Sequence, residues 1–180
     1  MISRAKLIKH AVGRMPPFKP ELRAKIRKEE KTQTRRIFKA DNPCPYPKGL
    51  RYMIEPLTKG ADGFAYYRDD GAPVLCADGK PMKWKWSKNI LTSIHMPTEA
   101  ARLFVWWAPY VVQPVQSITE EDAIAEGCRQ WVENGKITDT AVSDFAQLWN
   151  EINLPRGFGW ETNPTVNAYK FHVVKAEEEL

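Results

Sequence analysis

The chain has 180 residues, 43% hydrophobic and 27% charged, with a formal net charge of +5. That length suits one domain, and the apolar fraction is enough for a packed core, which excludes an intrinsically disordered chain. No run approaches the roughly 18 apolar residues of a membrane span, and the basic opening lacks the apolar centre of a secretory leader, so the expected setting is the cytoplasm.

Charge is unevenly spread. Thirteen of the 27 Lys and Arg residues fall in positions 1–40, against only Glu21, Glu29 and Glu30, while the remainder of the chain is mildly acidic. A basic quarter on an acidic body points to an anionic partner, nucleic acid first. Cys44, Cys76 and Cys128, and His10, His95 and His172, are too few and too scattered for a disulfide framework or a metal cluster. The chain therefore implies no metal and no cofactor.

Residues 1–17 alternate basic and apolar positions up to Pro16-Pro17 and read as a basic N-terminal arm. From Pro20, the run Glu21 to Glu30 reads as a helix. Proline suits its first turn, Glu21 the positive end of the dipole, and Leu22 and Ile26 share a face. Thr32 to Phe38 has strand character, with Thr32, Thr34 and Arg36 on one face and Gln33 and Arg35 on the other. Residues 40–50 are proline-rich and loop-like, and Leu50 to Glu55 reads as a strand. Positions 57–92 look like an insertion of short hairpins, with turns at Asp62-Gly63, Asp70-Gly71 and Asp78-Gly79. Trp84 and Trp86 flank Lys85 there, either as packing or as a base-stacking platform.

Arg102 to Val112 is a strand with a bend expected at Pro109. Thr119 caps a short helix whose first turn carries Glu120, Glu121 and Asp122, and Gly127 ends it. Glu126 sits in its last turn, where the helix dipole disfavours a carboxylate. A second helix spans Asp139 to Asn153, with Phe145, Leu148, Trp149 and Ile152 on one face. The last strand runs from Val166 to Val174, and 176–180 is a polar tail.

The stretch with most chemistry is Lys31-Thr32-Gln33-Thr34-Arg35-Arg36. It places an amine, two hydroxyls and two guanidinium groups within six residues, at a helix-to-strand corner. It reads either as a solvated basic turn or as a base, a hydroxyl nucleophile and an anion clamp.

This run, followed by Cys44-Pro45-Tyr46, Ser93 to Pro97, Ile118 to Gly127, Gly157-Phe158-Gly159-Trp160, Asn163-Pro164 and Tyr169 to Val174, resembles the ASCH domain family, in the group often found in phage and prophage genomes. The resemblance covers residues 18–175. It implies an α+β, PUA-like fold, a small antiparallel β-barrel flanked by helices, with 57–92 as a long hairpin-rich insertion. It also implies an RNA or nucleoside partner. In one bacterial branch the Lys, Thr and a later Glu of a G-x-K-x-x-T-x-R pattern remove the acyl group of N4-acetylcytidine. By that resemblance the catalytic set is Lys31, Thr34 and Glu126, with Arg36 in the Arg position. Arg35, Arg36, Thr32, Trp84 and Trp86 are candidate substrate or nucleic-acid contacts. Two positions depart from the pattern. Glu29 stands where the family has glycine, and Gly49-Leu50 where it has Gly-Asp.

Three functions follow as expectations: a metal-independent amidohydrolase on an acylated nucleoside, a non-catalytic reader of RNA or modified DNA, and a ribonuclease. The last lacks an evident pair of histidines for acid–base work.

Overall fold

The structure, a computed structural model, describes residues 3–134 and 136–175; the polar tail expected at 176–180 lies outside them. The chain is α+β. In order its elements are α1 (Arg4–His10), β1 (Gly13–Arg14), α2 (Pro20–Arg27), β2 (Gln33–Ile37), β3 (Gly49–Tyr52), β4 (Leu57–Lys59), β5 (Ala65–Tyr67), β6 (Ile90–Leu91), β7 (Phe104–Pro114), α3 (Glu120–Ala125), β8 (Trp131–Glu133), β9 (Lys136–Asp139), α4 (Ala141–Asn153) and β10 (Thr165–Val174), with short 3-10 turns between. They divide into two compact units, one of Met1–Pro20, Gly49–Trp106 and Val173–Leu180, the other of Glu21–Lys48 and Trp107–His172. Among the described residues no helix is long and apolar enough to cross a membrane.

In the first unit the expected arm is folded in. Ser3 caps α1 by accepting from the Lys6 amide, and Leu7 and Met15 are buried. β1 pairs in parallel with β3, Gly13 beside Arg51 and Arg14 beside Tyr52. The interleaved Leu7 and Met15, buried, and Ile8, half-buried, supply the reason: every few residues the basic run offers an apolar side chain to bury. The Arg4 guanidinium then binds the carbonyls of Leu75, Cys76, Glu99 and Ala101, which fixes α1 to the hairpin segment.

That segment is a three-stranded antiparallel sheet ordered β5-β4-β6. Gly63, Gly71 and Gly79 turn it at φ 82°, 70° and 78°, conformations that glycine adopts without a Cβ clash. Leu57, Ala65, Tyr67, Val74, Met82, Met96 and Phe104 form its core, with Trp84 and Trp86 packed half-buried against it. The two indoles meet edge-on, 4.8 Å apart at 69°, so they do not form a parallel stacking platform. Glu55 is fully buried and takes a two-pronged ion pair from Arg102, Nε to Oε2 at 2.8 Å and Nη2 to Oε1 at 2.6 Å. Arg102 also lies over the Tyr67 ring at 3.7 Å and reaches Asp70.

In the second unit β2 and β10 pair antiparallel, with Thr34 opposite Tyr169, Arg35 opposite Ala168 and Arg36 opposite Asn167. The Trp107–Pro114 part of β7 lies on the other side of β10, which leaves β2 at the sheet's edge. Thr119 caps α3 and Thr140 caps α4, each by accepting an amide three residues on. Phe145 and Trp149 of α4 pack with Val115, Ile118, Ala123, Cys128 and Val166. β8 and β9 form a separate exposed hairpin.

Breaking a buried ion pair by removing one partner strands the other charge. Arg102→Met is therefore expected to lower the unfolding free energy by about 3–5 kcal/mol in chemical denaturation. Lys80→Ala, which removes a fully exposed pair with Asp78, is expected to leave the midpoint unchanged.

Candidate functional site

The site is built in the second unit, where the end of α2, the start of β2 and the end of α3 meet. α2 stops at Arg27, and the chain reverses through Glu29 at φ 61°. That left-handed conformation is the one glycine would adopt freely, and a Glu there costs about 1–2 kcal/mol. The departure Glu29-for-glycine therefore changes the residue and keeps the turn. Lys31 follows with its amide on the Lys25 carbonyl, and the Thr32 amide donates to Ala125 at the end of α3.

Gly127 makes this approach possible. It sits at φ 88°, and a Cβ there would lie 3.0 Å from Lys25 Cδ and 3.4 Å from Lys31 Cβ. A side chain would thus be both strained and crowded. The glycine terminates α3, and its carbonyl accepts from Lys25 Nζ.

The Lys31 side chain is 1% exposed and Glu126 3%. Lys31 Nζ donates to Glu126 Oε2 at 2.6 Å, to the Glu126 carbonyl at 2.8 Å and to the Gln33 carbonyl at 2.8 Å. Glu126 Oε1 accepts from Arg35 Nη1 at 3.1 Å, and Arg35 Nη2 reaches Asp122 Oδ2 at 2.6 Å. One carboxylate thus bridges an ammonium and a guanidinium, and the guanidinium is tied to a second carboxylate. Among the described residues no group of three or more His, Cys, Asp or Glu is arranged to hold a metal.

Two influences compete on the Lys31 amine. Burial disfavours its charge, while Glu126 favours it by proximity and by a hydrogen bond; Arg36 adds a smaller repulsion. Burial is the larger, and the pKa is held below the ordinary value of 10.5. Three acceptors around Nζ suit an ammonium as the resting form, one that releases its proton more readily than an exposed lysine. Nearby, burial pushes the Cys128 thiol up to about 12, so it is protonated and chemically quiet at neutral pH.

Of the sequence-derived candidates, the structure joins Lys31, Glu126 and Arg35. Arg35 is fully enclosed by the two carboxylates and the Phe145 ring, so its guanidinium braces the site and does not present an anion clamp at the surface. Thr34 is buried on the opposite ladder face, and among the described residues its hydroxyl makes no hydrogen bond to the Lys31–Glu126 pair. Thr32 accepts from Phe171 of β10, so by two-residue alternation the Gln33 carbonyl points off the sheet edge. Nζ is bound to that carbonyl. Trp84 and Trp86 belong to the first unit.

The Thr34–Arg36 face carries groups that sequence reading missed. Asn167, Tyr169 and Phe171 project there from β10. Trp107 stacks on Phe171 at 5.1 Å and 4°, and lies 5.1 Å from Tyr169. Tyr46 packs 6.1 Å from Trp107 and 6.0 Å from Tyr169, and Tyr110 lies 5.5 Å from Tyr169. Arg36 interacts electrostatically with Tyr46, Glu126, Arg156 and Tyr169, and burial lowers its pKa. Trp107 Nε1 and Asn167 Oδ1 are among the buried polar atoms of the described residues that have no hydrogen-bond partner, each at a cost of about 1–3 kcal/mol. A signal for them was present: an amide within Val166-Asn167-Ala168-Tyr169 is polar at a position whose neighbours are apolar.

No family model and no curated protein matches the chain. A solved structure, that of protein EF3133 from Enterococcus faecalis V583, described as family-model DUF984, is similar over 100% of this chain and 86% of its own, at 12% sequence identity and a TM-score of 0.45.

Two measurements test the site. A lysine whose pKa is lowered on folding binds more protons in the unfolded chain between its folded value and 10.5, so its contribution to stability rises with pH across that window. Wild type is expected to gain stability relative to Lys31→Met as pH is raised from 7 towards 10.5, followed by urea midpoints; a constant difference would contradict the lowered value. Glu29→Gly relieves the left-handed strain and is expected to raise the unfolding free energy by up to about 1 kcal/mol, after the added freedom of the unfolded chain is subtracted.

Proposed function

We propose that the chain is an ASCH-type, PUA-like protein that acts on a modified nucleoside or its RNA, removing an acyl group from an exocyclic amine such as that of N4-acetylcytidine. The observation that carries this reading is the buried Lys31–Glu126 contact at 2.6 Å with its lowered amine pKa, beside the Thr34 face and its aromatic rings. With RNA as partner, the setting is the cytoplasm of a bacterial or phage-infected cell.

The chemistry needs no metal. The Thr34 hydroxyl oxygen attacks the acyl carbon as its proton passes to neutral Lys31 through a water, since the two side chains share no hydrogen bond. The exocyclic nitrogen leaves with a proton returned by Lys31, and Glu126 holds that amine in place and steadies its charged form. Water then cleaves the acyl ester on Thr34, again with Lys31 as base. The lowered pKa serves both steps, since a general base works best when its pKa lies nearer the working pH.

The second reading is a non-catalytic binder of RNA or modified DNA. It is favoured by the full set of acceptors around Lys31 Nζ, which a purely structural ion pair would also show, and by the basic first 40 residues.

Incubation with N4-acetylcytidine is expected to yield cytidine and acetate. Lys31→Ala and Glu126→Gln should each lower kcat/KM by about 10²–10⁴. Thr34→Val should abolish turnover while Thr34→Ser retains it, and the rate should rise with pH through the Lys31 titration. Turnover unchanged in Lys31→Ala would sink the catalytic reading. Absence of turnover together with RNA binding that weakens steeply between about 0.05 and 0.5 M salt would favour the second.

A further inference from the structure

We propose that the Asn167 carbonyl oxygen and the Trp107 indole N–H form the reading edge of a nucleobase subsite, covered by Tyr46. The inference rests on the nucleoside reading above and adds to it which groups recognise the base.

Three observations converge. Asn167 and Trp107 are fully buried, yet the carbonyl of one and the N–H of the other have no partner within the protein. The orientation of the Asn167 amide is fixed by its own bonds. Its Nδ2 donates to the Pro43 carbonyl at 3.0 Å and to the Tyr169 hydroxyl at 3.3 Å, so the oxygen is the atom left over. Both groups flank the Tyr169 ring, one through that hydroxyl and the other through ring packing at 5.1 Å.

The chemistry of an occupant follows. It must be flat to lie among aromatic rings. It must be uncharged where it meets two neutral groups, with a donor for Asn167 Oδ1 and an acceptor for Trp107 Nε1. A nucleobase meets these conditions, since its edge carries ring nitrogens, carbonyls and exocyclic N–H groups. Arg36, directly across the ladder from Asn167, stands where an anionic group attached to the base can be met.

Tyr46 is the side chain a base would displace. It is half-buried, lies against both Trp107 and Tyr169, and comes from the segment 39–48, which contains Pro43, Pro45 and Pro47. Asn167 Nδ2 on the Pro43 carbonyl ties that same segment to β10, so the residue that reads the base also holds its cover.

The test is calorimetric titration of cytidine, uridine and adenosine into wild type, Trp107→Phe, Asn167→Leu and Tyr46→Ala. Trp107→Phe keeps the ring and removes only the donor. It is expected to weaken nucleoside binding about 10-fold, the worth of one hydrogen bond of about 1.4 kcal/mol, with a melting temperature equal to or above wild type. Asn167→Leu should weaken binding by a similar factor, and Tyr46→Ala should tighten it. Should Asn167→Leu not fold, Trp107→Phe decides. Binding in Trp107→Phe equal to wild type overturns the subsite and leaves the nucleoside reading standing. No binding of any nucleoside, even to Tyr46→Ala, overturns both. Edge-dependent binding without N4-acetylcytidine turnover supports the subsite and removes the catalytic reading alone.

Discussion

The second unit is organised around one carboxylate. Glu126 takes Lys31 on one oxygen and Arg35 on the other, and by doing so joins the end of α3 to the first residues of β2. Helix propensity would not choose an acid at a helix C-terminus, where the dipole opposes it. The two cations reverse that preference. Without them the carboxylate would be buried and unpaired, a state costly enough to shift its protonation or open the structure.

The pair depends in turn on backbone geometry that only a few residues permit. Gly127 lets the α3 terminus come within van der Waals reach of Lys25 and Lys31. Glu29 reverses the chain after α2 in a conformation that its own side chain disfavours. Two positive-φ residues, one on each side of the contact, therefore set the 2.6 Å distance between Nζ and Oε2. Strain of this kind persists where surrounding contacts over-determine it, and here the contacts are the Thr32 amide on Ala125 and Lys25 on Gly127.

Much of this was legible in the sequence, for identifiable reasons. The cap at Thr119, the stop at Gly127 and the three hairpin glycines are local signals, and each local rule acted alone. The alternation that put Thr34 and Arg36 on one face and Arg35 on the other also held. Two things could not be read. The direction in which Lys31 turns depends on the register of β2 against β10, which no local pattern specifies. The first 17 residues read as an arm because charge dominates them, yet Leu7 finds a core only when the hairpin segment supplies one. Arg35 was the opposite case. Its charge reads as an anion clamp, and only Asp122 and Glu126, some ninety positions later, explain its burial.

A buried ion network is a poor way to gain stability, since replacing such a set by apolar side chains of similar volume is often neutral or better. That bears on how the second unit should be read. It encloses Lys31, Arg35, Glu126 and part of Asp122, and on the adjoining face it leaves an indole N–H and an amide carbonyl with no partner. Each choice lowers stability relative to an apolar alternative, and they are drawn from, or from beside, β2, β10, α3 and the Trp107–Pro114 part of β7. Elsewhere the same unit packs Phe145, Trp149 and Val166 conventionally, so its core could have been apolar here as well. A concentration of desolvated charge and unmet hydrogen-bonding capacity within an otherwise ordinary core is the pattern expected where a ligand completes the structure. The lowered amine pKa and the unmet Asn167–Trp107 edge are then two expressions of one condition, polar groups withdrawn from water.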